Sequence, residues 1–310
     1  MIIKFFGKII FFLVCIGLII SAAFFIYLEK KVSQLELQEI KQKKLQVIDK
    51  PLSVLILGVD SLIPGKLEGW TGRSDSIIVL YVNPYSKVVS VISVPRDTYT
   101  ELKKLKTHKI NAANQVGGYK LTKKAVTKLL NLKIDHVIVF SIKAVIDLID
   151  AMGEIKIYVP QKMSYHDHSA NLHIEIEPGL QVMNGKQLMN FLRYRSKLDG
   201  DIGRIQRQHI FFRAAVKQLS KPETAFKMPT MLLKANKTFI TDMSFKEMFE
   251  LGILLRSLLV GKQNREQQTK EIWGFKSYIV PGDFGPKGYW LPNQEEIKQM
   301  ILEITNEHRK

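Results

Sequence analysis

The sequence predicts an α/β protein, a single domain with a central mixed β-sheet flanked by helices and preceded by one transmembrane helix. Three observations carry that expectation. Successive runs at Leu52–Asp60, Arg73–Val82 and Lys87–Asp97 are short and rich in β-branched and aliphatic residues, the composition of strands. Downstream, strand-like runs alternate with segments of helical periodicity. Finally, the 20 positions from Ile9 to Leu28 contain no charged residue, and at about 1.5 Å per residue they span the roughly 30 Å hydrocarbon core of a bilayer.

Taken in order, residues 1–8 form a short N-terminus expected in the cytoplasm, and 9–28 form the anchor. A cleaved signal peptide would end its apolar stretch near Ile20, with Ser21-Ala22-Ala23 as the cleavage site. Phe24-Phe25-Ile26-Tyr27-Leu28 continues the apolar stretch past that point, which favours a retained anchor. Val14 before Cys15 is wrong for lipoprotein processing. Lys4 and Lys8 flank one end of the span, and Lys30, Lys31, Lys41, Lys43, Lys44 and Lys50 follow the other. A bare count of these lysines would put the large domain in the cytoplasm.

Residues 29–50, with Leu35, Leu37, Ile40 and Leu45 among Lys and Gln, read as a helical stalk that Pro51 ends. The core is expected over 51–220, with a C-terminal extension at 221–310 packed on the same domain. After the three strands, residues 119–131 place Leu121, Ala125, Leu129 and Leu130 near one helical face. A strand follows at Asp135–Phe140, then a helix to Met152 stopped by Gly153, and a strand at Ile155–Val159. Residues 161–170 read as a polar surface loop. Leu172–Glu177 alternates as a half-exposed strand, and Pro178-Gly179 turns into a helix at 184–195. A second helix at 203–220 carries Ile205, His209, Phe212, Val216 and Leu219 as its core stripe. Further helices are expected near 244–259 and 293–308, with a strand at Ser277–Val280.

Composition bounds the function. An apolar fraction of 46% suits a globular core and argues against general disorder. A formal charge of +17 points to an anionic partner, whether nucleic acid, an acidic membrane face or a polyphosphate polymer. The lone Cys15 lies inside the anchor, so the remainder has no thiol to oxidise, as suits an extracytoplasmic domain.

The sharpest chemistry lies between Gly58 and Arg96. Asn83-Pro84-Tyr85-Ser86 is a turn sequence, so the strands beside it pair antiparallel. The start of one strand then lies beside the end of the next, which brings Arg73 and Asp75 next to Arg96 and Asp97. If 52–59 runs parallel to 87–94, Asp60 joins them at the same sheet edge. Two carboxylates can hold Mg²⁺ and two guanidiniums can hold phosphate oxygens. That is a phosphoryl or pyrophosphoryl site.

A second charged segment runs from Arg193 to Gln208. Asp199-Gly200-Asp201 is turn chemistry, and Asp201 is placed to cap the next helix. Arg204 and Gln208 share a helical face beside the apolar stripe, at a helix start suited to anions. A solvated basic helix with a capped turn is the competing reading. His166, His168 and His173 with Asp167 suggest a metal cluster, but in a polar loop they read as a solvated segment. His108 beside Lys109 reads equally as a phosphate contact or a surface residue.

Leu-Gly-Val-Asp60, Arg73-Ser-Asp75, Ser-Val-Pro-Arg-Asp97, Lys109-Ile-Asn-Ala-Ala113, Gly117-Gly118 and Arg193-x-Arg195…Asp199-Gly-Asp-x-Gly-Arg204-x-x-Arg-Gln208 together resemble the LytR-CpsA-Psr family. The motifs cover residues 54–208 in order, and the short N-terminus with a single anchor fits the family's layout; the last hundred residues add nothing recognisable. The resemblance implies a Gram-positive phosphotransferase. Such enzymes move teichoic acid or capsular polysaccharide from an undecaprenyl-pyrophosphate carrier to the C6 hydroxyl of peptidoglycan N-acetylmuramic acid, with Mg²⁺.

It further implies that Asp60 and Asp75 hold the metal, and that Arg73, Arg96, Arg195 and Arg204 grip the pyrophosphate with Gln208 assisting. Arg96, Asp75 and Asp97 are then the catalytic candidates, either carboxylate serving as the base. The protein is expected at the cell membrane as a single-pass species with its catalytic domain outside. Its partners are the lipid-linked polymer, peptidoglycan and the membrane, and no nucleic acid. The rival readings are a membrane-anchored transcriptional regulator or attenuator, a polyprenyl-pyrophosphate hydrolase using water as acceptor, and a scaffold that only holds lipid-linked polymer. Against the regulator, no helix-turn-helix signature stands out, and the clustered aspartates would repel a phosphate backbone unless metal-bound.

Overall fold

The structure, a computed structural model, describes residues 50–59, 72–86, 88–102, 107–167, 172–194, 200–219, 221, 224, 239–260 and 274–306. The expected N-terminus at 1–8, the anchor at 9–28, nearly all of the stalk, Asp60, Arg195 and Asp199 lie outside the described residues. Among those described, no helix is long and apolar enough to cross a membrane.

Strands β1 (Leu52–Val59), β2 (Ser74–Asn83) and β3 (Val88–Ser93) form an antiparallel meander. The turn between β2 and β3 is built as its sequence predicts. Asn83 Oδ1 accepts from the backbone N–H of Tyr85 at 3.0 Å and of Ser86 at 3.3 Å, closing an Asx turn. With β2 antiparallel to both neighbours, β1 and β3 run in the same direction. Strand β4 (His136–Ser141) adds parallel to β1, and β10 (Phe275–Ile279) adds parallel to β3. Antiparallel β9 (Phe239–Thr241) completes a mixed six-stranded sheet ordered β10-β3-β2-β1-β4-β9.

Both faces of this sheet are covered. On one, Leu55, Leu57, Ile77, Val79 and Ile92 pack with Ala125, Val126 and Leu129 of α1 (Ala112–Leu130) and with Ile297, Met300 and Ile304 of α6 (Gln294–Asn306). On the other, Val54, Ile78, Leu80, Val89 and Val91 meet Leu251 and Leu254 of α5 (Phe245–Val260). Double coverage explains why these strands read as continuous apolar runs instead of alternating ones.

A second core lies under α2 (Ile142–Met152), α3 (Gly185–Arg193) and α4 (Gly200–Leu219). Its floor is two small antiparallel pairs. Strand β5 (Ile155–Val159) pairs with β8 (Gly179–Met183), and β6 (Met163–Asp167) pairs with β7 (Leu172–Ile176). Ser141 caps α2 by accepting from Ala144 N–H at 2.9 Å, and Gly153, at φ 85°, stops it as the sequence indicates. A reciprocal capping box between Asn184 and Gln187 starts α3.

Several expectations change. The polar loop expected at 161–170 contains β6, whose residues 164–166 are exposed on one of the small hairpins. Its weak apolar content reflects a strand with only Met163 fully buried. Pro178-Gly179 leads into β8 and not directly into a helix; Leu180 and Val182 of β8 face solvent, so its apolar residues do not mark a core face. Helix α1 begins at Ala112, seven residues before the periodic stretch, and breaks at Gly117 and Gly118. Gly118 sits at φ 60°, ψ −165°, a conformation confined to glycine. Among the expected stripe residues of α4, Ile205 is buried while His209 and Phe212 are half-buried.

Helix α4 is tied to β3 through His209, whose Nε2 lies 2.8 Å from Ser93 Oγ. Burial, reinforced by the positive field of Arg213, pushes the imidazole down to about 4 from an ordinary 6.5. Below pH 6.5 the unfolded chain therefore takes up a proton that the folded state refuses until about pH 4. This residue's contribution to stability should be complete above pH 6.5, fall as the pH drops through that window, and level off below it. Denaturant midpoints measured between pH 7.5 and 4.5 should fall for the parent, and His209→Gln should flatten that dependence.

Candidate pyrophosphate site

The charged residues gather where three strands end. Strand β1 finishes at Val59, β2 begins at Ser74 beside it, and β3 finishes at Ser93 opposite Ile78. Asp75 and Arg96 thus meet at one sheet rim, with Arg96 Nη1 donating to Asp75 Oδ1 at 2.8 Å. The hairpin geometry read from the sequence puts these two together, and the structure agrees. Each is about a quarter exposed, 25% and 24%, so the pair faces solvent at its outer side.

The Arg96 backbone is fixed by its neighbours. Thr98 N–H and Oγ1 both donate to Pro95 O, at 3.0 and 2.6 Å, closing a turn over Arg96 and Asp97. Asn111 N–H donates to Arg96 O at 3.1 Å, and Asn111 O accepts from Ser74 N–H at 3.3 Å. A further hairpin, β11 (Gly282–Phe284) with β12 (Trp290–Pro292), braces the same turn through Trp290 N–H to Asp97 O at 3.0 Å. The extension beyond residue 220 thus touches the site, a contribution that no motif announces.

Helix α4 supplies the other wall. Arg204 Nη2 donates to the backbone carbonyl of Asp75 at 2.8 Å and pairs with Asp201 Oδ1 at 2.6 Å. Gln208 Nε2 donates to Ser76 Oγ at 2.7 Å. That approach is close because Gly58 stands opposite Ser76; a side chain there would come within 3.0 Å of Ser76 Cβ. Arg204 and Gln208 are buried, at 5% and 9% exposure. They are therefore part of the helix's inward face and not a solvated row beside the stripe. The helix starts at Gly200, so Asp201 lies within its first turn. Its carboxylate serves as the partner of Arg204 and faces Arg96 Nε at 3.6 Å, instead of capping the helix as its position in the sequence suggests.

Asp97 is engaged on both sides. Lys109 Nζ lies 2.9 Å from its Oδ1, and Arg96 Nε lies 3.7 Å from its Oδ2. Lys109 also sits over the Tyr289 ring, 5.7 Å from its centroid. Burial by itself would lower the Arg96 pKa. The hydrogen bond to Asp75 and the fields of Asp75, Asp201 and Asp97 overcome that and raise it. Arg73 stands at the rim, its Nε 3.4 Å from Gln115 Oε1, turned toward α1 and not toward Asp75. Arg195 lies outside the described residues, but the backbone leading to it is held: Arg207 donates to Tyr194 O and stacks 5.1 Å over its ring.

Sequence reasoning thus places Asp75, Arg96, Asp97, Arg204 and Gln208 together. It assigns no site role to Lys109 or Asn111, and mistakes that of Asp201. The i, i+3 spacing of Asp201 and Arg204 is the signal that could have found the last. Chemically the cluster is three carboxylates, Asp75, Asp97 and Asp201, interleaved with three cations, Arg96, Arg204 and Lys109.

Comparison with known proteins places the chain in a family. A sequence model of the LytR_cpsA_psr family matches residues 22–300. Biofilm regulatory protein A of Streptococcus mutans is 30% identical over 204 residues, covering 63% of this chain and 50% of that protein, so the chain spans half the length of that relative. Polyisoprenyl-teichoic acid–peptidoglycan teichoic acid transferase TagV of Bacillus subtilis is 28% identical over 273 residues, 84% of this chain and 68% of that one. The crystal structure of B. subtilis TagV superposes with a TM-score of 0.66 at 24% identity, over 83% of this chain and 98% of that one, and so shares its fold. With the family match covering most of its length, the chain belongs to the LytR_cpsA_psr family.

Proposed function

We propose that this protein is a phosphotransferase that moves an anionic glycopolymer from a polyprenyl-pyrophosphate carrier to the C6 hydroxyl of peptidoglycan N-acetylmuramic acid. Family membership and relatives named as teichoic acid transferases support the reaction class. The observation that carries the reading is Arg96 clamped between Asp75, Asp97 and Asp201 at the sheet rim. A guanidinium fixed by three carboxylates keeps its planar fork in one orientation, ready for two phosphate oxygens.

In this reading the acceptor hydroxyl attacks the phosphorus that bears the glycopolymer. The P–O bond to the bridging oxygen breaks, and the carrier leaves as its monophosphate. Arg96 and Arg204, with Arg73 at the rim and with Arg195, stabilise charge that grows on the leaving phosphate. Asp97, with one oxygen on Lys109 and the other facing Arg96, orients the guanidinium. Asp75 or Asp97, the two candidate bases beside that guanidinium, takes the proton from the acceptor hydroxyl.

Mg²⁺ belongs to the same reading. The described cluster holds equal numbers of carboxylates and cations, so a pyrophosphate entering it needs positive charge from elsewhere. Oxygen-only donors such as Asp75, joined by Asp60, suit this hard cation. Bound there, it would neutralise pyrophosphate oxygens and activate the phosphorus as a Lewis acid.

Three outcomes test this proposal. Arg96→Lys should lose activity nearly as far as Arg96→Ala, on the order of 10²-fold, in transfer of a lipid-pyrophosphate-linked saccharide to peptidoglycan oligomers; a lysine variant near the parental rate would sink the bidentate grip. Asp75→Ala should weaken magnesium-dependent turnover while its melting temperature shifts by no more than about 2 °C, equivalent to about 1 kcal/mol at this size. An unchanged magnesium dependence would remove Asp75 from the metal site. As for topology, a membrane anchor at 9–28 with the domain outside predicts that protease added to intact protoplasts digests the domain. Protection of the domain alongside cytosolic controls would instead support the orientation that the lysine count suggests.

A further inference from the structure

The β6–β7 hairpin carries a group of side chains that the proposed reaction does not use. Its register sets His166 directly opposite His173 and Ser164 opposite Glu175. Met163 and Ile174 point into the second core, 1% and 0% exposed. Alternation then turns Ser164, His166, His173 and Glu175 outward together. The two imidazole rings meet edge to face with centroids 4.1 Å apart, and His166 Nε2 lies 3.8 Å from Glu175 Oε1.

We propose that His166, His173 and Glu175 form a binding site for a late first-row divalent cation, Zn²⁺ in the first instance. One ligating atom from each residue lies within 4.8 Å of the other two. Zinc bond lengths of about 2.0–2.2 Å in a tetrahedron place ligand atoms about 3.4 Å apart. The remaining contraction is within reach of exposed side chains on a fixed backbone. Two imidazoles and one carboxylate are the donors of open zinc sites, with water completing the shell, and are too nitrogen-rich to favour Mg²⁺.

The carboxylate is already oriented. Ser164 Oγ donates to Glu175 Oε1 at 2.6 Å, the outer-shell contact that metal ligands commonly carry. That hydrogen bond holds the Glu175 carboxyl below its ordinary range, so it stays anionic. The hairpin itself is secured to α3 by Asn190 Nδ2 donating to His173 O at 3.4 Å. A bound cation would clip β6 to β7 beside the connecting residues 168–171. The polar histidine segment of the sequence, read there as solvated, becomes a ligand set once the hairpin register is known.

The test uses the full, tag-free chain in detergent, stripped with chelator and titrated with ZnCl₂ against a chromophoric competitor in excess Mg²⁺. One equivalent of Zn²⁺ should bind despite the magnesium. His166→Gln and His173→Gln should each weaken binding by about tenfold or more, at least the loss caused by removing an outer-shell partner. His136→Gln, in strand β4 of the central sheet and outside this hairpin, should leave the isotherm unchanged. Because both ligand histidines are exposed, circular dichroism of their variants should match the parent. A parental isotherm in both hairpin variants, or no zinc retained against the competitor, would overturn the proposal.

Discussion

Strand β2 is paired along both edges and packed on both faces, so its ends are the only places where it can carry unshielded charge. The placement of Asp75 follows from this constraint. A carboxylate in the middle of β2 would lose its hydration with no partner able to replace it. Asp75, one residue in from the start, keeps a wet side and finds Arg96 just beyond the end of β3. The apolar sheet thus fixes the site by exclusion, and the Arg96–Asp75 pair marks where its cores stop.

Helix α4 converts that rim into an enclosed site. Within six residues it spends Arg204 on the Asp75 carbonyl, Arg207 on Tyr194, Gln208 on Ser76 and His209 on Ser93. Each contact satisfies a buried polar group that would otherwise be costly. The pair of Arg204 with Asp201 is mostly buried, and removing one member of such a pair commonly costs about 3–5 kcal/mol. Residues proposed to bind pyrophosphate are therefore also part of what holds the helix to the sheet, and stability measurements are needed beside activity for any change at Arg204.

Much of the sheet was legible in the sequence because its strands obey local rules. The Asn83 turn, the apolar runs and the Gly153 stop all act within a few residues. Asp75 meeting Arg96 follows from one hairpin. Strand β6 was not legible, because only one face of a small hairpin is buried and the other bears Ser164 and His166. Strand β8 hid for the opposite reason, with Leu180 and Val182 exposed. The burial of Arg204 and Gln208 depends on partners about 130 residues away, which no helical periodicity can reveal. The bracing of Asp97 by Trp290 is of the same kind.

The break at Gly117-Gly118 divides one helix into two inheritances. Before it, Asn114 Nδ2 donates to Gly72 O at 2.7 Å and Gln115 meets Arg73, so that short turn answers to the rim. After it, Ala125, Val126 and Leu129 answer to the sheet's apolar face. Leu121 packs back against Ala112 and Ala113, and Thr122 Oγ1 donates to Gly118 O at 3.2 Å, so the second segment holds the first in place across the break. Any side chain at Gly118, held at φ 60° and ψ −165°, would therefore strain the joint that the rim and the sheet face share.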